Sequence, residues 1–286
     1  MSYEASLAAA PIAPVTVSQR ALTWVRWLRL ALEFIRAAWI LRWRFPGLDR
    51  DSKLDEIRNW SRRVLAILEV EVECDGAPPP GFTGLVVSNH VSWLDILVIQ
   101  SVLPGAFVAK AEVRRWPVIG SLAQSCATIF VERASSRSAR AMVDASVAAF
   151  DQGYCVIGFP EGTSSDGTDL GVFHANIFES AIRCGSALQP LTLRYVNALT
   201  GLATDAPVFI GETSLAASVL KVMSTPSIKA RLHFGNRISP SHHTRKSLAL
   251  QAHQSIRDQL LRHAPTGRHA TVTQTSHTTA TQAPHG

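Results

Sequence analysis

Cysteine is scarce in this chain, four in 286 residues. Cys74, Cys126, Cys155 and Cys184 stand far apart, form no C-x-x-C pair and sit among apolar neighbours. That pattern supports neither a zinc site nor a disulfide framework, and it reads as reduced, buried thiols in a cytosolic-facing protein. Charge is sparse too, at 17% of residues against 47% hydrophobic. The apolar content supplies a sizeable core and exceeds what many soluble enzymes need. No run of about eighteen uncharged apolar residues exists, so an ordinary spanning helix is not expected. Met1 to Ala13 lacks the basic segment and clean apolar core of a secretory signal. Glycine-rich phosphate loops, a G-x-S-x-G elbow and an H-E-x-x-H helix are all missing, which removes P-loop, dinucleotide, serine-hydrolase and metalloprotease chemistry. No cofactor and no metal is expected.

What is there divides into four stretches. Residues 1–18 read as a flexible leader. Residues 19–72 read as two amphipathic helices, Ala21 to Phe45 and Leu54 to Leu68, separated by Pro46-Gly47. The first carries four of the chain's seven tryptophans, Trp24, Trp27, Trp39 and Trp43. On a helical projection Arg26, Arg29, Glu33, Arg36 and Arg44 share one sector, and Trp27, Leu28, Ala31, Phe34, Ile35, Ala38 and Trp39 occupy the rest. This is the make-up of a helix lying in a membrane interface; a helix packed on the protein's own core has a similar pattern. Arg42 lies off the polar sector and would have to snorkel. The net charge of +6 suits anionic headgroups, and by itself it suits nucleic acid equally.

Residues 73–263 alternate apolar runs with helical patterns. Candidate strands are Leu85 to Ser88, Ala106 to Ala109, Thr128 to Glu132, Cys155 to Phe159, Leu188 to Val196, Pro207 to Ile210 and Ala230 to Phe234. Trp93 to Val102, Val113 to Gln124, Arg137 to Phe150 and Asn176 to Cys184 read as helices, the third with Ser135 or Ser136 as cap. The fold class expected is α/β, a mixed, mostly parallel sheet flanked by helices and preceded by the two-helix docking element. Residues 264–286, rich in Thr, His, Ala and Gln without apolar periodicity, read as a disordered tail.

Two loops carry candidate chemistry, and both follow directly on apolar runs, where open α/β sheets place their ligands. The first is Ser88-Asn89-His90-Val91-Ser92-Trp93-Leu94-Asp95. A neutral imidazole takes a proton from a hydroxyl near pH 7, and a carboxylate on its other nitrogen fixes the tautomer and stabilises the imidazolium. Residues five apart do not share a helix face, so His90 must sit in the turn before the helix that holds Asp95. A helix-start Asp also complements the dipole without any catalytic role. The second loop is Phe159-Pro160-Glu161-Gly162-Thr163-Ser164. Gly162 suggests a sharp turn or close approach to a ligand, and Glu161 either binds a substrate hydroxyl or orders the turn through a backbone amide. Lys110, Arg114, Arg115, Arg133, Arg137 and Arg140 suit a phosphate or carboxylate, or form a solvated basic rim.

These blocks, in this order, resemble the glycerolipid acyltransferase family, the bacterial 1-acyl-glycerol-3-phosphate acyltransferases and their relatives. Asn89 to Asp95 looks like the family's H-x-x-x-x-D motif; Gly120 through Ile129-Phe130-Val131-Glu132-Arg133 looks like its second block. Phe159 to Thr163 matches F-P-E-G-T, and Ala187-Leu188-Gln189-Pro190-Leu191 resembles its final apolar-Pro block. The likeness covers roughly residues 60 to 240. It implies direct acyl transfer: His90, helped by Asp95, deprotonates a lysolipid hydroxyl that attacks the thioester of acyl-CoA or acyl carrier protein. Arg133, Glu161, Gly162 and Thr163 would then line the acceptor site, and Lys110 would help hold a headgroup. The implied partners are the thioester donor, the lysolipid acceptor and a membrane surface met by the N-terminal helices, at the cytoplasmic face of a bacterial inner membrane, with no nucleic acid. One departure stands out. Many phosphatidate-forming members carry Arg after F-P-E-G-T, where this chain has Ser164. The first expectation is 1-acyl-sn-glycerol-3-phosphate as acceptor; the alternative, suggested by Ser164, is lyso-ornithine lipid. A non-catalytic basic module binding membranes or nucleic acid is the competing class.

Overall fold

The computed structural model describes residues 17–262 apart from 117, 118, 133 and 134, with side chains from Thr23 onwards. The expected C-terminal tail and most of the expected leader lie outside the described residues, as does Arg133. Two helices come first, α1 (Val17–Trp43) and α2 (Arg50–Ile67). Asp49 caps α2, its carboxylate accepting from the Ser52 amide at 2.8 Å. There follow β1 (Val70–Asp75), β2 (Leu85–Ser88), α3 (Leu94–Val102), β3 (Ala106–Lys110), α4 (Ile119–Ser125) and β4 (Ile129–Val131). Then come α5 (Ser136–Asp151), β5 (Val156–Gly158), α6 (Phe178–Cys184), β6 (Leu188–Asn197), α7 (Leu215–Ser224), β7 (Ile228–Phe234) and α8 (Arg245–Arg262).

The strands make one sheet in the order β1-β7-β6-β2-β5-β3-β4. From β6 to β4 all neighbours are parallel; β7 meets β6 antiparallel and carries β1 parallel to itself. The sheet is therefore mixed and mostly parallel, with helices on both faces. β2 and β5 are buried at every residue, as strands covered on both sides must be. On one face α1, α2, α3 and α7 enclose Val86, Ile99, Leu193 and Met223; on the other α5, α6 and α8 enclose Val87, Phe178, Leu188 and Ile256.

Two local expectations differ from the fold, and three elements were unforeseen. The stretch 113–124 is not one helix but a 3-10 turn over Ala111–Arg115 followed by α4. Trp116, between them, is extended at φ −71 and ψ 130, the conformation that a following proline, Pro117 in the sequence, imposes on its predecessor. Pro207 to Ile210 is loop rather than strand, its amides bonding to Asp205 O and Val91 O at 3.1 Å each. β1 was not anticipated. Its outward charges form a ladder with β7, Glu71 to Lys229 at 3.2 Å and Glu73 to Arg231 at 3.3 Å, which suits an edge strand. α7 and α8 complete the list of unforeseen elements.

α1 is oriented against the simplest reading of its polar sector. Glu33 is buried and pairs with Arg63 of α2 at 2.7 Å and with Arg36 at 3.1 Å. Arg26 donates to Met223 O at 2.7 Å and pairs with Glu69, and Arg44 pairs with Glu56 at 2.6 Å. Trp27 and Phe34 pack on the core, Phe34 edge-on to Trp60 at 5.7 Å. Outward instead point Leu28, Leu32, Ile35, Trp39 and Trp43, between 54% and 67% exposed. Part of the charge faces the protein and much of the apolar surface faces away from it.

Candidate active site

The C-terminal ends of β2, β5 and β3 lie side by side, since Val87 is level with Gly158 and Phe107 with Ile157. His90 leaves the end of β2, Glu161 the end of β5, and Lys110 closes β3, so all three stand on one edge of the sheet. Asn89 fixes the exit from β2. Its side-chain amide donates to Leu193 O and accepts from Leu193 N, both at 2.9 Å. A side chain thus continues the β2–β6 ladder for one more rung while the backbone turns away.

His90 lies in the turn before α3 and touches Asp95, Nδ1 to Oδ2 at 2.8 Å. The same carboxylate oxygen accepts from the amides of Val91 at 2.7 Å and Ser92 at 2.9 Å, and Oδ1 accepts from the Tyr195 hydroxyl at 2.8 Å. Asp95 is fully buried in the first turn of α3, and three donors, the two amides and the Tyr195 hydroxyl, point at its carboxylate. An ionised carboxylate only accepts. Nδ1 of His90 therefore carries a proton, and Nε2 is the basic nitrogen. The imidazole keeps 21% of its surface exposed. Phe159 stacks on it at 4.0 Å between centroids and 12° between planes, which holds the ring orientation.

Glu161 clamps the two loops together. One oxygen accepts from the His90 amide and the other from the Gly171 amide, each at 2.8 Å. Burial pushes its pKa up, and the Gly171 and His90 amides pull it back. Of the two roles open to Glu161, ordering the backbone is the one this geometry displays. Gly162 adopts φ 71, a left-handed conformation that costs glycine little. Gly171 approaches so closely that a Cβ there would come within 2.9 Å of the Glu161 carboxylate. Ser165 ties the far side, its amide donating to His90 O at 2.8 Å. Ser164 donates its hydroxyl to Phe209 O, and the Phe209 amide returns to Val91 O at 3.1 Å.

Beside Glu161 opens a depression of about 430 Å³, lined among others by Thr163, Ser165, Asp166, Asp169 and His174. Of the residues singled out from the sequence, Glu161 and Thr163 line this depression, while His90 and Asp95 meet on the other side of the bond from the His90 amide to Glu161. Lys110 is exposed at the end of β3. Arg114 lies farther along that connection, its guanidinium 5.7 Å from the Phe130 ring. Trp93 and Leu94 are packing residues: Leu94 is fully buried, and Trp93 donates its indole N–H to Ser218 at 2.9 Å. Sequence reasoning missed the roles of Asn89, Phe159, Gly171 and Tyr195. Only Phe159 stood in a motif where an aromatic could have been suspected.

The Acyltransferase family model matches residues 69–194, β1 into β6. A protein named lyso-ornithine lipid O-acyltransferase from Pseudomonas aeruginosa is 34% identical over 230 residues, 80% of this chain and 88% of that protein. The chain belongs to the acyltransferase family. A Neisseria meningitidis protein named 1-acyl-sn-glycerol-3-phosphate acyltransferase is also 34% identical, over 64% of this chain and 72% of its own length. Among solved structures, the 1-acyl-sn-glycerophosphate acyltransferase PlsC from Thermotoga maritima shares the fold, with TM-score 0.59, 22% identity and coverage of 83% of this chain and 96% of that one. The protein is thus an acyltransferase enzyme of the lysolipid type. Within it, both site loops fall inside the matched region, and Tyr195 is the first residue beyond it.

Proposed function

We propose that this acyltransferase transfers a fatty acyl group from the thioester of acyl-CoA or acyl carrier protein to the free hydroxyl of a lysolipid, with His90 as general base. The observation that carries this reading is the bond from His90 Nδ1 to the acceptor-only carboxylate of Asp95, which leaves Nε2 free to take the hydroxyl proton. The alkoxide oxygen attacks the thioester carbonyl carbon; the new C–O bond forms, the C–S bond breaks, and the imidazolium returns its proton to the departing thiolate. No acyl-enzyme is needed. Lys110, Arg133, Glu161, Gly162 and Thr163 frame the acceptor in this reading, Glu161 by holding the backbone of His90 in place.

The acceptor better supported by the described residues is lyso-ornithine lipid. Ser164 stands where a phosphate-binding arginine would be expected, and Asp166 and Asp169 line the depression next to Glu161, where an ornithine ammonium finds opposite charge and a phosphate monoester does not. The second reading is 1-acyl-sn-glycerol-3-phosphate, favoured by the exposed Lys110 at the same sheet edge. α1 lies on the bilayer in this account. Its outward Leu28, Ile35, Trp39 and Trp43 are 60–67% exposed beside the exposed Arg29, Arg36 and Arg42, and Arg42 stacks over the Trp43 ring at 4.6 Å. That is interfacial chemistry, and no helix among the described residues is long and apolar enough to cross a membrane. Purified enzyme assayed on both lysolipids with both thioester carriers tests the reading. Diacyl product from the ornithine lipid with little from the phosphate lipid is the expected result, and the reverse preference moves the assignment to the phosphate.

A further inference from the structure

Tyr195 sits near the far end of β6, a hundred positions from Asp95, and nothing in the two motif loops points to it. Its ring is buried at 5% exposure, and its hydroxyl donates to Asp95 Oδ1 at 2.8 Å. Asp95 Oδ2 is already shared by the Val91 and Ser92 amides and the His90 ring. Among the described residues Tyr195 is the single hydrogen-bond partner of Oδ1, while the imidazole bonds Oδ2. We infer that Tyr195 is a positioning residue that sets the basicity of His90 through Asp95, by holding Oδ1 so that the carboxylate meets the imidazole squarely and with part of its charge already engaged.

The inference rests on the proposed role of His90 as base. The titratable groups facing Asp95 are His90 from the loop after β2, Tyr195 from β6 and, across the His90 backbone, Glu161 from the loop after β5. Burial, and then the Asp95 carboxylate, raise the pKa of the Tyr195 hydroxyl well above its ordinary value, so it stays a proton donor throughout the working range. Take that donor away and the buried Oδ1 loses its hydrogen bond from the described residues. More of the carboxylate charge then falls on the imidazole, and the proton on His90 is held more tightly. Less of the enzyme carries a free base at a given acidic pH. Once the imidazole is deprotonated, however, the free base is present in full.

Tyr195→Phe removes one oxygen and keeps the buried ring. The acid limb of kcat/KM is expected to move up by about one pH unit, giving a roughly tenfold loss near pH 6 and a value within about threefold of the parent above pH 8.5. In an Asp95→Asn background the same change should add almost nothing, because the group it acts through is gone. A second readout needs no turnover: the His90 ring titration followed by NMR should shift upward in the Tyr195→Phe protein. A deficit equal at every pH, or an unmoved ring titration, overturns the inference and leaves Tyr195 a packing residue. Failure of the base assignment looks different, because His90→Ala would then retain activity whatever Tyr195 does.

Discussion

The sheet edge around His90 and the outer face of α1 treat polarity in opposite ways. At the edge, buried polar atoms are bonded nearly without exception: Asp95 takes four donors, Glu161 two, and the Asn89 amide both backbone polar groups of Leu193. On α1 the charges Arg26 and Glu33 are turned into the body and satisfied there, while Trp39 and Ile35 face outward at 60% and 66% exposure. A network closed within the chain marks a place where geometry must be held to a fraction of an ångström. An apolar stripe with no partner among the described residues marks a surface whose partner lies outside them. In the proposed reading one region carries chemistry and the other location, and changes in each should leave the other's readout alone.

The largest effect should follow from His90→Ala. Loss of the base should lower kcat by on the order of 10² to 10⁴-fold on any lysolipid, with vesicle binding and melting temperature close to the parent. Asp95→Ala should cost both activity and stability, because the Val91 and Ser92 amides and the Tyr195 hydroxyl lose their acceptor inside the protein. Destabilisation of about 2–4 kcal/mol is expected by denaturant titration. A loss of activity with no loss of stability would mean that water reaches the carboxylate.

On α1 the pattern should reverse. Replacing Ile35 and Trp39 together by Ser should weaken cosedimentation with anionic vesicles by at least about tenfold. Turnover of a short-chain, water-soluble acceptor should stay at the parent rate, and the melting temperature should hardly move because both side chains are exposed. Glu33→Ala, on the inner side of the same helix, should instead lower the melting temperature, since it strips Arg63 and Arg36 of their shared partner.

The smallest effect concerns Glu161. Its pKa is raised on folding, mainly by burial, so the folded state binds that proton more tightly than the unfolded chain does. The stability it contributes is present in full below the ordinary carboxylate pKa and is lost as pH rises through the raised value. Compared with Glu161→Gln, the parent should therefore gain in melting temperature as the pH falls from 7 to 4. A parent that loses ground over that interval would show that the amide bonds outweigh burial.

The two site loops were legible because their partners are close in sequence or sit in recognisable motifs. His90 and Asp95 are five positions apart, and the requirement that the ring precede the helix follows from helix geometry alone. Asn89, Gly171 and Tyr195 could not be read, since Asn89 meets Leu193 and Tyr195 meets Asp95 across a hundred positions, contacts that only the strand order β6-β2-β5 creates. Most strands were legible from their apolar runs. β1 was not, because its edge position lets it alternate Glu with Val. Periodicity divided α1 into two sectors but could not say which one faces the body. That choice is made by Arg63, Glu69 and Met223, which the local pattern does not contain.

One measurement reaches the heart of this account: turnover of lyso-ornithine lipid and 1-acyl-sn-glycerol-3-phosphate by purified parent and His90→Gln proteins, following free thiol and diacyl product together. The account predicts one thiol released per diacyl lipid formed by the parent, dependent on acceptor, and neither product from the variant. Sustained transfer by His90→Gln, or thiol release in the absence of acceptor with acyl group retained on the protein, would contradict it.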